Sequence, residues 1–238
     1  MTETKFVATA CPTRRSFTLV ELLVVIAIMG ILMFIGLPAF EKLAKGSGVE
    51  LGSRNLTSKI GQARGYAITK REFVAVLMPT AATTPKLPND YIFKSYKLCV
   101  VSSIYTAGTP NNFTFKSWIP SENWSFLQTG NAINDISSTA HAVGSDSDWA
   151  TALLDVVNDV SLKEFNNPPT ATTYNAVDNV RAIVFKPTGK MVVSGNRHVA
   201  VSESTYNGTG ATLTNTNKKN WIDVIIDQFT GRVTYGSE

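Results

Sequence analysis

Residues 22–40 constrain the fold most strongly, because these nineteen consecutive residues carry no charge and are almost entirely apolar: LLVVIAIMGILMFIGLPAF. An α-helix rises about 1.5 Å per residue, so a helix of this length spans roughly 28 Å, close to the hydrocarbon thickness of a bilayer. A helix that is apolar on every face is unusual in a small water-soluble domain. The stretch therefore predicts a membrane-spanning helix.

A cleaved secretory signal is the alternative interpretation of such a stretch. The apolar run is longer than the usual signal core, and no Ala-x-Ala-like site follows Phe40. Glu21 stands at the start of the run, where a carboxylate would cost about 2–3 kcal/mol at the membrane centre. Arg14 and Arg15 precede the run and favour a cytoplasmic location for that end. The pattern predicts an anchor whose C-terminal part faces outward.

The residues at the start of the anchor resemble the processing and methylation motif of type IV pilins: Phe17-Thr18-Leu19-Val20-Glu21-Leu22. In that family a prepilin peptidase cuts before the phenylalanine, and the new N-terminus is methylated. The resemblance implies cleavage between Ser16 and Phe17 and N-methylation of Phe17. The family also has a glutamate and a proline at mature positions five and twenty-two, which fall on Glu21 and Pro38. Ser16 departs from the family, which has glycine before the cut.

Glu21 and Pro38 are the candidate assembly residues. A carboxylate buried in lipid needs a cationic partner, and the freed α-amino group of Phe17 on an adjacent subunit supplies one. The alternative is that Glu21 reaches the membrane interface near Arg15. Proline removes an intrahelical hydrogen bond, so Pro38 predicts a kinked or loosened helix, or simply the end of the span.

The rest of the chain predicts an α+β fold, in which a long N-terminal membrane-spanning helix packs on a C-terminal antiparallel β-sheet domain. Residues 41–72 show helical spacing of apolar residues, with a break expected at Gly46, Gly48 and Gly52. Strands are predicted at 73–78, 91–104, 181–185, 191–194, 198–202, 221–226 and 232–235.

The predicted organisation has four parts. Residues 1–16 form the prepilin leader, 17–40 the transmembrane or filament-core helix, and 41–72 its amphipathic continuation. Residues 73–238 form the β-rich globular domain. This domain includes an insertion at about 107–178, which is rich in Asn, Ser and Thr and contains a possible helix near 148–165.

A second resemblance concerns the minor pseudopilin group called GspH/FimT. It rests on the helix-to-strand junction at residues 56–74 and on two C-terminal segments, 183–189 and 222–233, that contain Thr-Gly turns. The resemblance implies a minor structural subunit of a type II secretion pseudopilus or a type IV pilus. Its partners would be prepilin peptidase, other pilins, the inner-membrane assembly platform and membrane lipid.

The sequence contains no motif that indicates an enzyme, a metal site or a cofactor site, and none of these is expected. His141 and His198 lack metal-ligand spacing, and Cys99 is the single cysteine after residue 16, typical of a small core residue. Asp146 and Asp148 favour a solvated acidic loop over a calcium site. The implied location is the bacterial inner membrane, crossed once, with the C-terminal domain outside the cytoplasm and the subunit in a filament after assembly.

Nucleic acid is not an expected partner, although DNA uptake by a minor pilin is the main alternative function. Residues 1–16 hold three of the 22 basic and one of the 18 acidic residues, so the remainder carries a net charge of +2. DNA-binding FimT-like proteins carry Gly-Arg-x-Arg, whereas Thr234 replaces the second arginine here. The candidate DNA contacts are Lys218, Lys219, Trp221 and Arg232. A further alternative is an anchored outward domain without a filament role.

Overall fold

The computed structural model describes residues 18–102, 104–108, 111–134, 154–161, 176–192, 195–209, 213–217 and 219–236. Between residues 35 and 46 it describes the backbone alone. The chain divides into two compact units, Met1–Leu43 and Ala44–Glu238. The first unit contains the apolar N-terminal segment, and the second contains the strands.

A long α-helix, α1, covers Leu19–Lys70. In its C-terminal half, buried side chains recur every three or four residues, which is the period of one helix face. These side chains are Leu56, Ile60, Ala63 and Ala67, each with no exposed surface. The C-terminal half of α1 therefore buries one face, and the helix ends at Lys70.

The helix break expected at the glycines is absent, because the helix continues through Gly46, Gly48 and Gly52. A Cβ atom on Gly48 would lie 2.5 Å from Nδ2 of Asn131, and one on Gly52 would lie 3.0 Å from Cδ2 of Leu127. The missing side chains let the globular domain pack close to the helix backbone. This packing offsets the intrinsic cost of glycine in a helix, about 1 kcal/mol per residue.

Within the described ranges, thirteen strands follow the helix. They are β1 Phe73–Met78, β2 Ser95–Val101, β3 Asn112–Trp118, β4 Ser125–Phe126, β5 Asn131–Asn134, β6 Asp155–Asn158, β7 Val160–Ser161, β8 Ala176–Val177, β9 Val180–Phe185, β10 Arg197–Thr205, β11 Thr214–Asn215, β12 Trp221–Ile226 and β13 Val233–Gly236. The observed order, one N-terminal helix and then strands, confirms the α+β class.

Five strands form a closed ring. Strand β1 pairs with both β2 and β9, β2 pairs with β3, β3 with β6, and β6 with β9. Four of these pairings are antiparallel, but β3 and β6 run parallel, with Asn112 opposite Val156. The expectation of a purely antiparallel sheet is wrong at this one pairing, which the long connection between β3 and β6 makes possible.

Within the segment predicted as an insertion, residues 107–178, the described residues contribute to the sheets. They supply strands β3 to β8, and two of these complete the ring. Phe113 and Val157 are buried between the strands, so this polar segment still provides core residues. The predicted helix near 148–165 is also wrong over residues 155–158 and 160–161, which are strands, because β-branched Val156, Val157 and Val160 favour extended backbone.

A second sheet contains β5, β10, β12 and β13, with β11 paired to the end of β10. Its pairings are antiparallel. The strand predicted at 221–226 is confirmed as β12, and that predicted at 232–235 is shifted by one residue as β13. Of the strand predicted at 191–194, the described residues show a single bridge between Phe185 and Met191.

The described residues form two hydrophobic cores. The first joins the buried face of α1 to β1, β2 and β9 and to the second sheet, through residues such as Leu56, Val76 and Val201. The alternate residues of the same ring strands, including Leu77, Cys99 and Val184, form the second core. A helix does not fit inside five strands, so α1 packs on the outside of the ring and the second core fills its interior.

Polar contacts fix the C-terminal half of α1 to the domain. Nζ of Lys59 lies 2.7 Å from Oε2 of Glu122, and Nε of Arg64 donates to the carbonyl oxygen of Thr230 at 2.7 Å. Gly231 has a φ of 63°, and a Cβ atom there would collide with the carbonyl oxygen of Gly189. The two Thr-Gly turns noted in the sequence therefore pack on each other beside Arg64.

Candidate functional site

The described part of the helix begins with a capping box formed by Thr18 and Glu21. The backbone N–H of Glu21 donates to Oγ1 of Thr18 at 3.2 Å, and the backbone N–H of Thr18 donates to Oε2 of Glu21 at 3.3 Å. The Thr18 hydroxyl also donates to Oε2 at 3.2 Å. These contacts satisfy two backbone donors that a helix start leaves unpaired. The signal was visible as Thr-x-x-Glu before an apolar run, but sequence reasoning connected Glu21 with assembly alone.

The first turns of α1 expose an apolar surface on every side. The large apolar side chains between residues 19 and 34 are 44–83% exposed. They are Leu19, Val20, Leu22, Leu23, Val24, Val25, Ile26, Ile28, Met29, Ile31, Leu32, Met33 and Phe34. Such a continuous exposed apolar surface marks a segment that another molecule or a lipid phase covers.

Among the residues that the structure describes, no helical segment has the length and hydropathy required for a membrane span. Pro38 lies within α1, and its side chain is not described. Ser16 and Phe17, which flank the predicted cut, lie outside the described residues.

The candidate DNA contacts do not come together. Trp221 begins β12 opposite Ser202, whereas Arg232 precedes β13 at the other end of β12, where Val233 pairs with Ile226. Five residues of extended strand separate these ends by about 17 Å. Lys219 is exposed at the Trp221 end, and Lys218 lies outside the described residues. Arg232 therefore forms no shared basic patch with Trp221.

The interior of the ring contains a buried lysine that sequence reasoning did not identify. Lys97 is 3% exposed and sits opposite Leu77, an inner-core residue. Its Nζ lies 4.0 Å from the ring centroid of Trp118 and 5.7 Å from that of Trp124. These cation–π contacts stabilise an ammonium group away from bulk water. Along β2, Lys97 shares one face with the core residues Cys99 and Val101, which lie two and four positions further on. This alternation was the sequence signal that could have identified a buried lysine.

A buried carboxylate also lies in the ring, because Asp155 is opposite Ala182 of the inner core. Its Oδ1 lies 3.9 Å from a guanidinium nitrogen of Arg197, and both side chains are almost fully buried. Burial raises the pKa of Asp155 to about 7, although the positive charge of Arg197 opposes the shift. Burial lowers the pKa of Arg197, and the Asp155 carboxylate opposes that shift. The pair joins the ring to the second sheet.

A histidine–aspartate pair lies on the second sheet. Nδ1 of His198 is 2.7 Å from Oδ2 of Asp223, and both residues are buried. The hydroxyl groups further along β10 belong to Ser202 and Ser204, which bond to each other at 2.7 Å. Four residues of extended strand place Ser202 about 13 Å from His198, so strand β10 offers no nucleophile to this imidazole.

Within the described part of the chain, no three acidic, histidine or cysteine side chains are grouped as metal ligands. His141, Asp146 and Asp148 lie outside that part. Cys99 is fully buried inside the ring, and burial raises the pKa of its thiol. Its position is that of a small core residue, as the sequence predicted.

Comparison with known families adds one finding to this geometry. Residues 11–37 match the family described as the prokaryotic N-terminal methylation motif. The match covers the predicted cut, the capping box and most of the apolar run. It supports a type IV pilin-like protein and implies processing by prepilin peptidase and assembly with other pilins. No curated protein and no solved structure matches the chain.

Proposed function

We propose that the chain is a minor pseudopilin or minor pilin, a structural subunit of a type II secretion pseudopilus or type IV pilus. It is cleaved between Ser16 and Phe17 and methylated on Phe17. Before assembly it is held in the bacterial inner membrane by its N-terminal helix, with the C-terminal domain outside the cytoplasm. The inner-membrane assembly platform then packs it with other subunits, and it has no catalytic activity.

The observation that carries this proposal is the apolar surface of α1 directly after a prepilin-type motif. Moving a large apolar side chain out of water contributes about 1.5–3 kcal/mol. Together the exposed side chains between residues 19 and 34 therefore represent on the order of 20 kcal/mol or more. Lipid covers such a surface before assembly, and neighbouring helices cover it in a filament.

The geometry at Glu21 supports assembly through a charged pair. The described donors to its carboxylate, the N–H and hydroxyl of Thr18, are neutral, so the capping box leaves the negative charge uncompensated. In an apolar surrounding this charge requires a cation. The α-amino group that cleavage creates on Phe17 of a neighbouring subunit meets this requirement, and the pairing would set the axial stagger of the subunits.

The choice of a minor subunit rests on the resemblance to the GspH/FimT group. The two Thr-Gly turns of that resemblance pack against each other beside Arg64. A DNA-uptake role receives no support from this geometry, because Arg232 and Trp221 lie at opposite ends of β12.

Processing is tested by mass spectrometry of the chain from membranes of cells with an active prepilin peptidase. We expect an N-terminus at Phe17 with a methylated amino group. Ser16→Gly should increase the cleaved fraction, because glycine is the residue that the pilin family has there. An intact Met1 terminus in the wild type and in Ser16→Gly would refute the processing step.

Assembly is tested with Glu21→Gln, which keeps the hydrogen-bonding shape of the cap and removes the charge. We expect the variant to reach the membrane but to be depleted from sheared filaments. Thr18→Ser, which retains the hydroxyl and the charge of Glu21, is the matched control and should assemble. Wild-type incorporation of Glu21→Gln would remove the charge-pair argument.

A further inference from the structure

An open cleft of about 620 Å³ lies at one end of the strand ring, where α1 gives way to β1. Its floor contains the inner-facing residues Phe73, Val101 and Phe115. The polar lining consists of Arg71, Glu72, Ser102, Thr114 and Lys116. An apolar floor with several convergent polar groups is typical of small-ligand sites.

The polar rim has an excess of positive charge. Nζ of Lys116 lies 2.8 Å from Oε1 of Glu72, so these two charges neutralise each other. Arg71 is exposed, and no described residue forms an ion pair with it. The rim therefore carries one uncompensated cation beside the hydroxyl groups of Ser102 and Thr114, which are potential hydrogen-bond donors.

The backbone at Arg71 is held in an unfavourable conformation. Its φ is 55°, the left-handed region in which a helix normally ends with glycine or asparagine. An arginine there is less favourable than glycine. This residue places a guanidinium at the cleft rim, and positive-φ residues other than glycine concentrate at binding sites.

We propose that this cleft binds a carboxylate joined to an apolar or aromatic group. The Arg71 guanidinium pairs with the carboxylate through two parallel hydrogen bonds, a geometry that arginine favours. The apolar part of the ligand packs on Phe73 and Phe115. Free carboxylic acids and the C-terminal residue of a peptide share this chemistry. The inference goes beyond the proposed function and does not depend on it.

The probe for the site is N-acetyl-phenylalanine, titrated into the full-length protein in detergent micelles while backbone amide resonances are followed by NMR. We expect saturable shifts at Ser102, Thr114 and Phe115. N-acetyl-phenylalaninamide keeps the ring but lacks the charge and should bind at least about tenfold more weakly. The dipeptide N-acetyl-Ala-Phe, which has the same charge and the same free C-terminus, distinguishes a peptide source from a small acid: tighter binding than the probe indicates a peptide, and weaker binding a small acid.

Three variants separate binding from folding. Arg71→Gly should weaken binding of the probe about tenfold without lowering the thermal midpoint, because glycine accepts the positive φ. Glu72→Gln releases the Lys116 ammonium from its ion pair, which adds a positive charge to the rim and should tighten binding. Lys70→Ala removes an adjacent cation that does not line the cleft and should leave affinity unchanged. Equal affinity of the wild type and Arg71→Gly, equal binding of acid and amide, or no binding to the wild type would each overturn the proposal.

Discussion

Thr18 and Glu21 hold each other at the start of α1, with Oε2 of Glu21 3.2 Å from the hydroxyl oxygen of Thr18 and 3.3 Å from its backbone nitrogen. Both residues lie within the family match at residues 11–37. One carboxylate therefore caps its own helix and, in the function proposed above, meets the amino terminus of a neighbouring subunit.

Loss of the cap should loosen the first turn of the helix. Thr18→Ala removes the acceptor for the Glu21 N–H and should cost about 1 kcal/mol of local helix stability. Thr18→Ser keeps the hydroxyl and should cost little. Amide hydrogen exchange of residues 19–22 in micelles measures the effect. Unchanged protection in Thr18→Ala would show that the cap does not hold this turn.

Two glycines of α1 should respond to alanine in opposite directions. A Cβ atom added at Gly61 would meet no heavy atom within 4 Å, so Gly61→Ala should gain about 0.5–1 kcal/mol from helix propensity. Gly48→Ala should lose stability instead, because its Cβ atom would lie 2.5 Å from Nδ2 of the buried Asn131. Urea unfolding of a fragment from residue 44 onward compares the two. A gain in both variants would mean that Asn131 moves aside freely.

The Lys59–Glu122 pair should couple α1 to the domain more strongly than a surface pair does. Its side chains are 21% and 18% exposed, compared with 69% and 57% for Arg54 and Glu50. A double-mutant cycle with Lys59→Met and Glu122→Gln should give a coupling free energy of about 1–2 kcal/mol. The same cycle on the exposed pair should give about 0.5 kcal/mol or less. Equal couplings would contradict the role assigned to Lys59.

The buried Asp155 should make stability fall as the pH rises. Its pKa is about 7 in the folded chain, against about 3.9 for an unfolded aspartate. Between these pH values the folded state binds more protons, so the free energy of unfolding decreases with rising pH. Asp155→Asn removes this titration.

The measurement is urea unfolding of the residue 44–238 fragment at pH 4.5 and pH 7.5. From pH 4.5 to pH 7.5, the free energy of unfolding of Asp155→Asn should increase relative to that of wild type by on the order of 2–4 kcal/mol. Val157→Ala on the same strand removes no titrating group, and its destabilisation should be constant. Parallel pH profiles for wild type and Asp155→Asn would contradict the burial argument.

Local signals were sufficient for part of the fold. Strand β12 was predicted at its observed ends, because Trp221, Ile222 and Val224–Ile226 favour extended backbone and a turn follows directly. The end of α1 was predicted within two residues, because the buried face repeats with helical spacing. These elements depend mainly on neighbouring residues in the sequence.

Long-range packing decided the remaining elements. The parallel pairing of β3 with β6 joins two strands that are distant in the chain, so no local pattern marks it. The helix continues through Gly48 and Gly52 because Asn131 and Leu127, far along the chain, pack against them. The prepilin-type motif at the start of α1 was recognisable from the sequence. The uncompensated positive charge of Arg71 at the cleft rim was not, because it depends on the ion pair between Lys116 and Glu72.

Closure of the five-stranded ring affects how copies of the protein interact at high local concentration. Open sheets at high local concentration pair edge to edge between molecules, which is a common route to aggregation. In the ring, β1, β2, β3, β6 and β9 each have a paired neighbour on both sides, so much of the backbone of these strands is already paired within the chain. In the function proposed above, ring closure would therefore keep neighbouring subunits from pairing through these strands.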